Sequence, residues 1–395
     1  MKIVQINVTC GTGSTGKICT SVSKILGAEN IENYIFYVFG KSSFPYGIKY
    51  ASDKYIRFQA LKSRILGNYG FNSQCATKRL INELDRIKPD IVHLHNLHGH
   101  NCNLPMLFSY LKENKIKLFW TFHDCWAFTA YCPHFTMVKC DRWKKECHDC
   151  PQIKYFSWFF DRSKYLFNEK KRLFKGLDLT IITPSQWLAD LVKLSFLKDY
   201  PVKVINNGID LSVFKPTVSV IRETYGLVGK KIVLGVASVW WESKGIDVFI
   251  ELAKRLSGDY RIILVGTDDK VDNLLPSNII SIHCTRNQKE LAEIYSAADV
   301  FANPTREENY PTVNMESIAC GTPVVTFKTG GSPEIIDETC GSVVDSDDVD
   351  ALEIEIRRVC EEKPYSLEAC LKRARSFDMN DRFEEYVKLY KEFEK

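Results

Sequence analysis

The sequence predicts an α/β protein built from two doubly wound, parallel-sheet domains in series. Three observations carry this expectation. Short apolar runs of strand length alternate with helix-patterned segments along nearly the whole chain, as parallel strands joined by crossover helices require. The alternation pauses at NNGIDLSVFKP, residues 206–216, and then starts again. The length of 395 residues also exceeds what a single growing hydrophobic core usually covers.

In the first set, KIVQINV (2–8) reads as a strand, SVSKIL (21–26) lies on a helix, and IFYVFG (35–40) reads as a second strand. CATKRLINELDRI (75–87) follows as a helix and DIVHLH (90–95) as a strand. After a further helix come the strands KLFWTFHD (117–124) and LTIITPS (179–185), the helix SQWLADLVKL (185–194) and the strand VKVINNG (202–208). The second set runs KIVLGVAS, VFIELAKRL, RIILVG, IISIH, LAEIYSAA, VFANPT, MESIA, PVVTF and SVV between 231 and 344. The final segment DRFEEYVKLYKEFEK is amphipathic and is expected to pack back on the first domain.

Composition bounds the function classes. Hydrophobic residues make up 45% and charged residues 26%, ordinary for a globular protein. No apolar run approaches the roughly 18 residues of a membrane span, and MKIVQINVTCGTG does not resemble a signal peptide. A cytoplasmic protein is therefore expected, its 14 cysteines reduced, buried or bound to metal. Residues 1–212 hold 30 Lys and Arg against 17 Asp and Glu, net +13, and the remainder holds 23 against 32, net −9. The basic residues include Lys54, Arg57, Lys62, Arg64, Lys78 and Arg79, then Lys164, Lys170, Lys171, Arg172 and Lys175. Trp158, Phe159, Tyr165 and Phe167 lie among the second group. Such a surface suits an anionic membrane face, with the protein peripheral on the inner leaflet, or nucleic acid.

The strongest chemical signal is EENYPTVNMESIACGTPVV, residues 307–325, in which seven residues separate Glu308 from Glu316. Pro311 suits an early helical position, Asn314–Ala319 reads as helix, Gly321 as its C-terminal cap and Pro323 as the start of a strand. Glu308 then falls in a loop and Glu316 about two turns into the helix. Loop amides, a helix start and two carboxylates that only accept hydrogen bonds suit a ligand with both phosphates and hydroxyls. A nucleotide sugar is such a ligand.

With GGSPEIID at 330–337, this string resembles the Glu-x7-Glu donor site of the family 4 glycosyltransferases. The resemblance covers nearly the whole chain and is strongest from 230 to 340. It implies the GT-B architecture, two Rossmann-like doubly wound parallel-sheet domains facing a cleft. Residues 1–210 would form the acceptor-side domain, 211–376 the donor domain and 377–395 the returning helix. It also implies retaining transfer from a UDP- or GDP-sugar to a glycan or lipid-linked acceptor, as in bacterial surface polysaccharide synthesis, with no catalytic metal and no nucleic-acid partner. By resemblance, Glu316 binds ribose hydroxyls, Glu308 the sugar hydroxyls, amides near Asn309 and Tyr310 the sugar and phosphate, and Lys244 the diphosphate. Arg306 adds a cation, and Gly13 lies in the loop facing the donor phosphates or the acceptor.

The chain departs from the family pattern in two places. An arginine usual in the Lys244 loop is replaced by the Ser238–Trp240 region, leaving Trp240 and Trp241 to wall the cleft, and Pro311 stands where a glycine is common. Other motifs compete with the resemblance. GTGSTGK at 11–17 matches the start of a phosphate-binding loop, which would make an NTP-dependent kinase or ATPase, but Ile18 stands where Ser or Thr must hold magnesium. Asp345-Ser346-Asp347 imitates a metal-binding pair within an acidic turn. His93, His95, His98, His100 and His123 cluster near strand ends, where ligand crevices form. His123 is similar to the family's acceptor-side histidine. Cys132, Cys140, Cys147 and Cys150 form an insert at 132–150 ending in Cys-x-x-Cys, consistent with a structural zinc in which His134 or His148 could replace a cysteine, or with disulfides or free thiols. The basic half and these cysteines are also the ground for a zinc-containing nucleic-acid binder. Neither alternative explains the Glu308–Glu316 segment.

Overall fold

The computed structural model describes residues 1–256 and 258–393. The chain divides into two compact units, Met1–Asn206 joined by the segment from Arg382 onward, and Asn207–Asp381. The first unit holds β1 (Lys2–Ile6), β2 (Glu32–Tyr37), β3 (Gly47–Lys49), β4 (Ile91–Leu94), β5 (Lys117–Thr121), β6 (Leu179–Thr183) and β7 (Val202–Val204), in the order β3-β2-β1-β4-β5-β6-β7. All pairings are parallel. Strands β4 and β6 are buried at every position, as expected where helices cover both faces of a sheet.

The second unit holds β8 (Lys231–Val236), β9 (Tyr260–Val265), β10 (Ile279–Ile282), β11 (Val300–Asn303), β12 (Val324–Phe327) and β13 (Gly341–Val344), in the order β10-β9-β8-β11-β12-β13. It too is wholly parallel. The two sheets give the predicted GT-B class of fold, each doubly wound. Chain direction across each sheet reverses once, between β1 and β4 and between β8 and β11. Loops leaving such a pair diverge to opposite faces and open a crevice at the carboxyl ends of the strands. Lys244 follows β8 and Glu308 follows β11, so these two lie at the crevice of the second sheet.

The helix Met379–Glu392 belongs mostly to the first unit, where Tyr386 and Tyr390 are buried. The Tyr390 hydroxyl lies 2.5 Å from His93 Nδ1, and its ring meets Phe119 edge-on at 5.4 Å. Other elements were not foreseen: β3, and the helices Asp53–Leu66, Ser163–Phe174, Val349–Glu362 and Leu367–Ala374. The donor helix runs Thr312–Ala319, so Glu316 stands one turn from its start rather than two. Its C-cap is Cys320, with Gly321 beyond it at φ +85°. Trp240 is also corrected: it is a core residue, edge-on to Phe249 with its Nε1 donating to Val265 O at 3.0 Å. Trp241 alone is exposed.

Candidate functional site

Two loops of the second unit are tied to each other by their backbones. After β8 the chain makes a short 3-10 turn, Glu242–Lys244, then enters the helix Ile246–Arg255 through Gly245 at φ +77°. A side chain at Gly245 would place Cβ 2.5 Å from Pro304 O, so only glycine permits this approach. Ser243 O accepts from Arg306 N at 2.8 Å and from Thr305 Oγ1 at 3.1 Å. The clamp sets Lys244 Nζ 2.7 Å from Glu308 Oε2 and 3.3 Å from Glu307 O. Both side chains stay partly open to solvent, so the pair adds little stability while holding a cation and a carboxylate ready for a ligand.

A second support comes from the glycine pair after β12. Gly330 lies at φ +56°, and a Cβ there would meet Glu308 O at 1.9 Å, while Gly331 N donates to Asn309 O at 2.7 Å. Glu308 Oε1 also accepts from Asn309 N at 3.1 Å. Glu316 is oriented from one side by the buried Tyr295, whose hydroxyl donates to Oε2 at 3.2 Å. Asn309 and Tyr310 are both buried, and Tyr310 joins the apolar core around Met315 and Ile318, so of these two residues only backbone groups suit a ligand.

The Arg306 guanidinium is engaged by carboxylates of its own unit. It is forked onto Asp247 at 2.8 and 2.7 Å and onto Asp347 at 2.5 Å. A planar bidentate pair of this kind fixes geometry, and Arg306 thereby pins the loop after β11 to the helix Ile246–Arg255. Asp347 lies in an exposed turn, as expected, and from there also anchors Arg306. Sequence reasoning missed Asp247 and Tyr295. Their partners lie 59 and 21 residues away, and no local pattern exposes that.

In the first unit the loop after β1 forms a turn closed by Gly11 N donating to Gly16 O at 3.0 Å. Gly13 opens the helix Gly13–Ala28, whose N-cap Thr12 makes no side-chain cap. The histidines lie at the ends of β4 and β5 and separate into roles. His93 is fully buried between Tyr390 and Thr121 Oγ1, the latter at 2.8 Å, and burial pushes it down to about 3. His95 bridges Gln5 Oε1 at 3.2 Å and His123 Nε2 at 3.1 Å. His98 Nε2 meets Asp124 Oδ2 at 2.7 Å, and Asp124 Oδ1 accepts from Trp126 N at 2.9 Å. Burial works against the Asp124 charge, but His98 and these donors hold it down at about 2. Burial likewise pushes His123 down to about 4, against the pull of Asp124. His123 is therefore a neutral imidazole at neutral pH, able to accept or donate a hydrogen bond.

Known proteins resemble the chain in sequence and in fold. The profile described as Glycosyltransferase Family 4 matches residues 21–213, and that described as Glycosyl transferases group 1 matches residues 230–362. The chain belongs to the family 4 glycosyltransferases. The putative colanic acid biosynthesis glycosyl transferase WcaC of Escherichia coli K12 is 23% identical over 373 residues, 88% of each chain. The D-inositol 3-phosphate glycosyltransferase of Mycolicibacterium smegmatis is 29% identical over 205 residues, 48% of this chain and 47% of its own. Among solved structures, the sucrose-phosphate synthase of Thermosynechococcus elongatus superposes with a TM-score of 0.71 at 16% identity, covering 99% of this chain and 98% of its own. Anabaena HepE, solved with UDP and glucose, gives 0.70 at 15% identity over 99% and 100%. These likenesses agree with the fold.

Two further parts of this glycosyltransferase bear on its partners. The four insert cysteines form no disulfide and line one small cavity. Lys170, read from the sequence as part of a basic surface, is fully buried instead. Its Nζ donates to the carbonyls of Trp126, Thr129 and Ala130 at 2.7, 3.0 and 3.3 Å and sits 3.5 Å from the Trp126 ring centroid. Arg172 pairs with Glu169. No described helix is long and apolar enough to cross a membrane.

Proposed function

We propose that this glycosyltransferase moves a sugar, with retention at the anomeric carbon, from a UDP- or GDP-sugar to a glycan or lipid-linked acceptor in bacterial surface polysaccharide synthesis. The observation that carries the reading is Lys244 and Glu308 held 2.7 Å apart at the switch point of the second sheet, with Glu316 on the adjoining helix. In this reading Lys244 and the helix start take the diphosphate, Glu308 accepts from sugar hydroxyls and Glu316 from the ribose. The bond from the anomeric carbon to the diphosphate breaks as the acceptor oxygen bonds on the same face, and the acceptor proton leaves with the departing phosphate. The chain supplies positioning and a cation for the leaving group, with no divalent metal, while the neutral His123 hydrogen-bonds the acceptor or the transferring sugar. The colanic acid biosynthesis role of WcaC and the UDP and glucose bound in HepE support the donor and product classes.

Calorimetry with UDP, GDP and their sugars tests the donor side. One nucleotide should bind, and Glu316→Ala should weaken it by about tenfold to a hundredfold, the worth of hydrogen bonds to a charged acceptor. Unchanged affinity in a folded variant would remove Glu316 from the ribose.

For the acceptor we propose docking on an anionic bilayer. Phe58, Leu61 and Ile65 lie exposed along the helix Asp53–Leu66 beside Lys54, Arg57, Lys62 and Arg64. Trp158 N donates to Arg64 O at 2.8 Å, which brings exposed Trp158, Phe159 and Phe160 against the end of that helix. Aromatic rings flanked by cations suit the interfacial region. Sedimentation with phosphatidylglycerol vesicles should capture the protein at low salt, and release it as salt rises. Trp158→Ala with Phe159→Ala, and separately Arg57→Glu with Lys62→Glu, should weaken capture without altering nucleotide affinity. No capture at low salt would point to a water-borne acceptor, and equal capture by neutral vesicles would overturn the role given to the cations.

A further inference from the structure

We propose that Cys132, Cys140, Cys147 and Cys150 hold one tetrahedral zinc ion that braces the segment between β5 and the helix Ser163–Phe174. The four residues line a single cavity of about 20 Å³, walled otherwise by apolar groups such as Tyr131, Phe135 and Trp143 and, among polar residues, by Arg142 and His148. That room suits one water-sized occupant, and sulfur is what the cavity offers it. Cys132 Sγ and Cys150 Sγ lie 3.9 Å apart. This is far from a disulfide bond, and close to the roughly 3.8 Å edge of a sulfur tetrahedron with zinc–sulfur bonds of about 2.3 Å.

The hydrogen bond to Cys150 and burial push the Cys132 thiol up, and burial does the same to Cys147, so thiolate at these positions depends on the cation itself. The Ala130 amide faces the Cys147 sulfur and the Gln152 amide the Cys150 sulfur. Arg142 closes the loop by donating to His148 O at 2.8 Å and to Asp149 O. Lys170 then acquires a reason to be buried. Burial pushes the Lys170 ammonium well down, its carbonyl partners carry no net charge, and Cys147, Asp124 and Cys132 are the nearby groups that oppose the burial. Four thiols that lose four protons to Zn²⁺ leave a centre of net charge −2, which with Asp124 supplies the counter-charge a buried ammonium needs. The same carbonyls belong to the 3-10 turn Trp126–Phe128 and its exit, directly after Asp124, so the metal would steady the end of β5 that carries His123. Among the described residues, the group of three whose ligand atoms already lie within 4.8 Å of one another is Asp269, Asp272 and His283, so the other cysteine sulfurs would close in on the Cys132–Cys150 pair as the ion binds. The Asp269 group lies on an open surface where Asp272 already accepts from Ser281 and His283, and it carries no proposal.

Protein purified without chelator should contain about one zinc per chain by elemental mass spectrometry. Titration of the native thiols with an organomercurial should release that zinc. Cobalt in its place should give the intense visible bands of a tetrahedral thiolate site. Cys147→Ser and Cys150→Ser should each lose zinc and melt at lower temperature, whereas Cys284→Ser, an exposed thiol elsewhere, should change neither. Where a variant fails to fold, zinc content and cobalt spectra of the unaltered chain still decide. A metal-free active preparation, a Cys132–Cys150 disulfide in peptide maps, or zinc retained by both folded serine variants would overturn the assignment.

Discussion

Glu308→Gln should slow glycosyl transfer by about a hundredfold or more while nucleotide affinity stays within a few-fold. Glutamine keeps the shape and one acceptor oxygen but removes the charge that sits 2.7 Å from the Lys244 ammonium. In the proposed chemistry that charge acts on the sugar as positive character builds at the anomeric carbon. Losing one preorganised group of this kind costs roughly 10²–10³ in kcat. Lys244→Ala should differ, because its cation meets the diphosphate before and during bond breaking. Both nucleotide affinity and kcat should fall. Neither variant should lose much stability, since both side chains are partly solvated. The assay is transfer from the donor selected by calorimetry, run with EDTA for minutes. Unaltered kcat/KM in Glu308→Gln would remove Glu308 from the reaction, and a wild-type rate abolished by EDTA and restored by magnesium would overturn the metal-free mechanism.

The parts of this protein visible in its sequence are those fixed by local chemistry. Parallel strands covered on both faces read as unbroken apolar runs, so most strands stood out. β3 did not, because three residues, Gly47–Lys49, are too few for a pattern. The helix Asp53–Leu66 exposes Phe58, Leu61 and Ile65, which blurs the contrast between its faces. Lys170 is more instructive. Ser163, Leu166, Phe167, Lys170, Leu173 and Phe174 are the buried positions of one helix, spaced as a single helical face. That period was present in the sequence, but a lysine is almost never placed on such a face unless it has partners, and its partners are carbonyls more than 40 residues away. Arg306 fails to read for the same reason. Its charge is evident, whereas its commitment to Asp247 and Asp347 depends on tertiary structure.

Stability should fall steeply as the solution is acidified from about pH 6.5 toward pH 4. Burial depresses four histidines of the first unit below the ordinary value of 6.5, His93 to about 3, His100 and His123 to about 4, and His95 further. Above pH 6.5 neither the folded nor the unfolded chain protonates them, so they impose no pH dependence. Between 6.5 and about 4 the unfolded chain binds protons that the folded chain refuses, and stability drops as pH falls. At pH 5.5 the loss is of order 1 kcal/mol per histidine, a few kcal/mol together, against a typical total of roughly 5–15 kcal/mol. Asp124 does not contribute in this window. Its value of about 2 gives stability that is present above the ordinary carboxylate range and lost only as pH falls below it. His283 works in the opposite direction, since Asp272 raises it and its contribution is lost as pH rises through its folded value, but it is fully solvated. Urea midpoints measured from pH 7.5 to 5 should therefore decline, most steeply below 6.5. His93→Gln should flatten the slope, because one titrating group is gone and the amide can still hydrogen-bond to Tyr390 or Thr121. A midpoint constant from pH 7.5 to 5 would mean that these imidazoles are hydrated and titrate normally, and His123 would then be cationic for part of the working pH range instead of the neutral hydrogen-bonding partner that its burial requires.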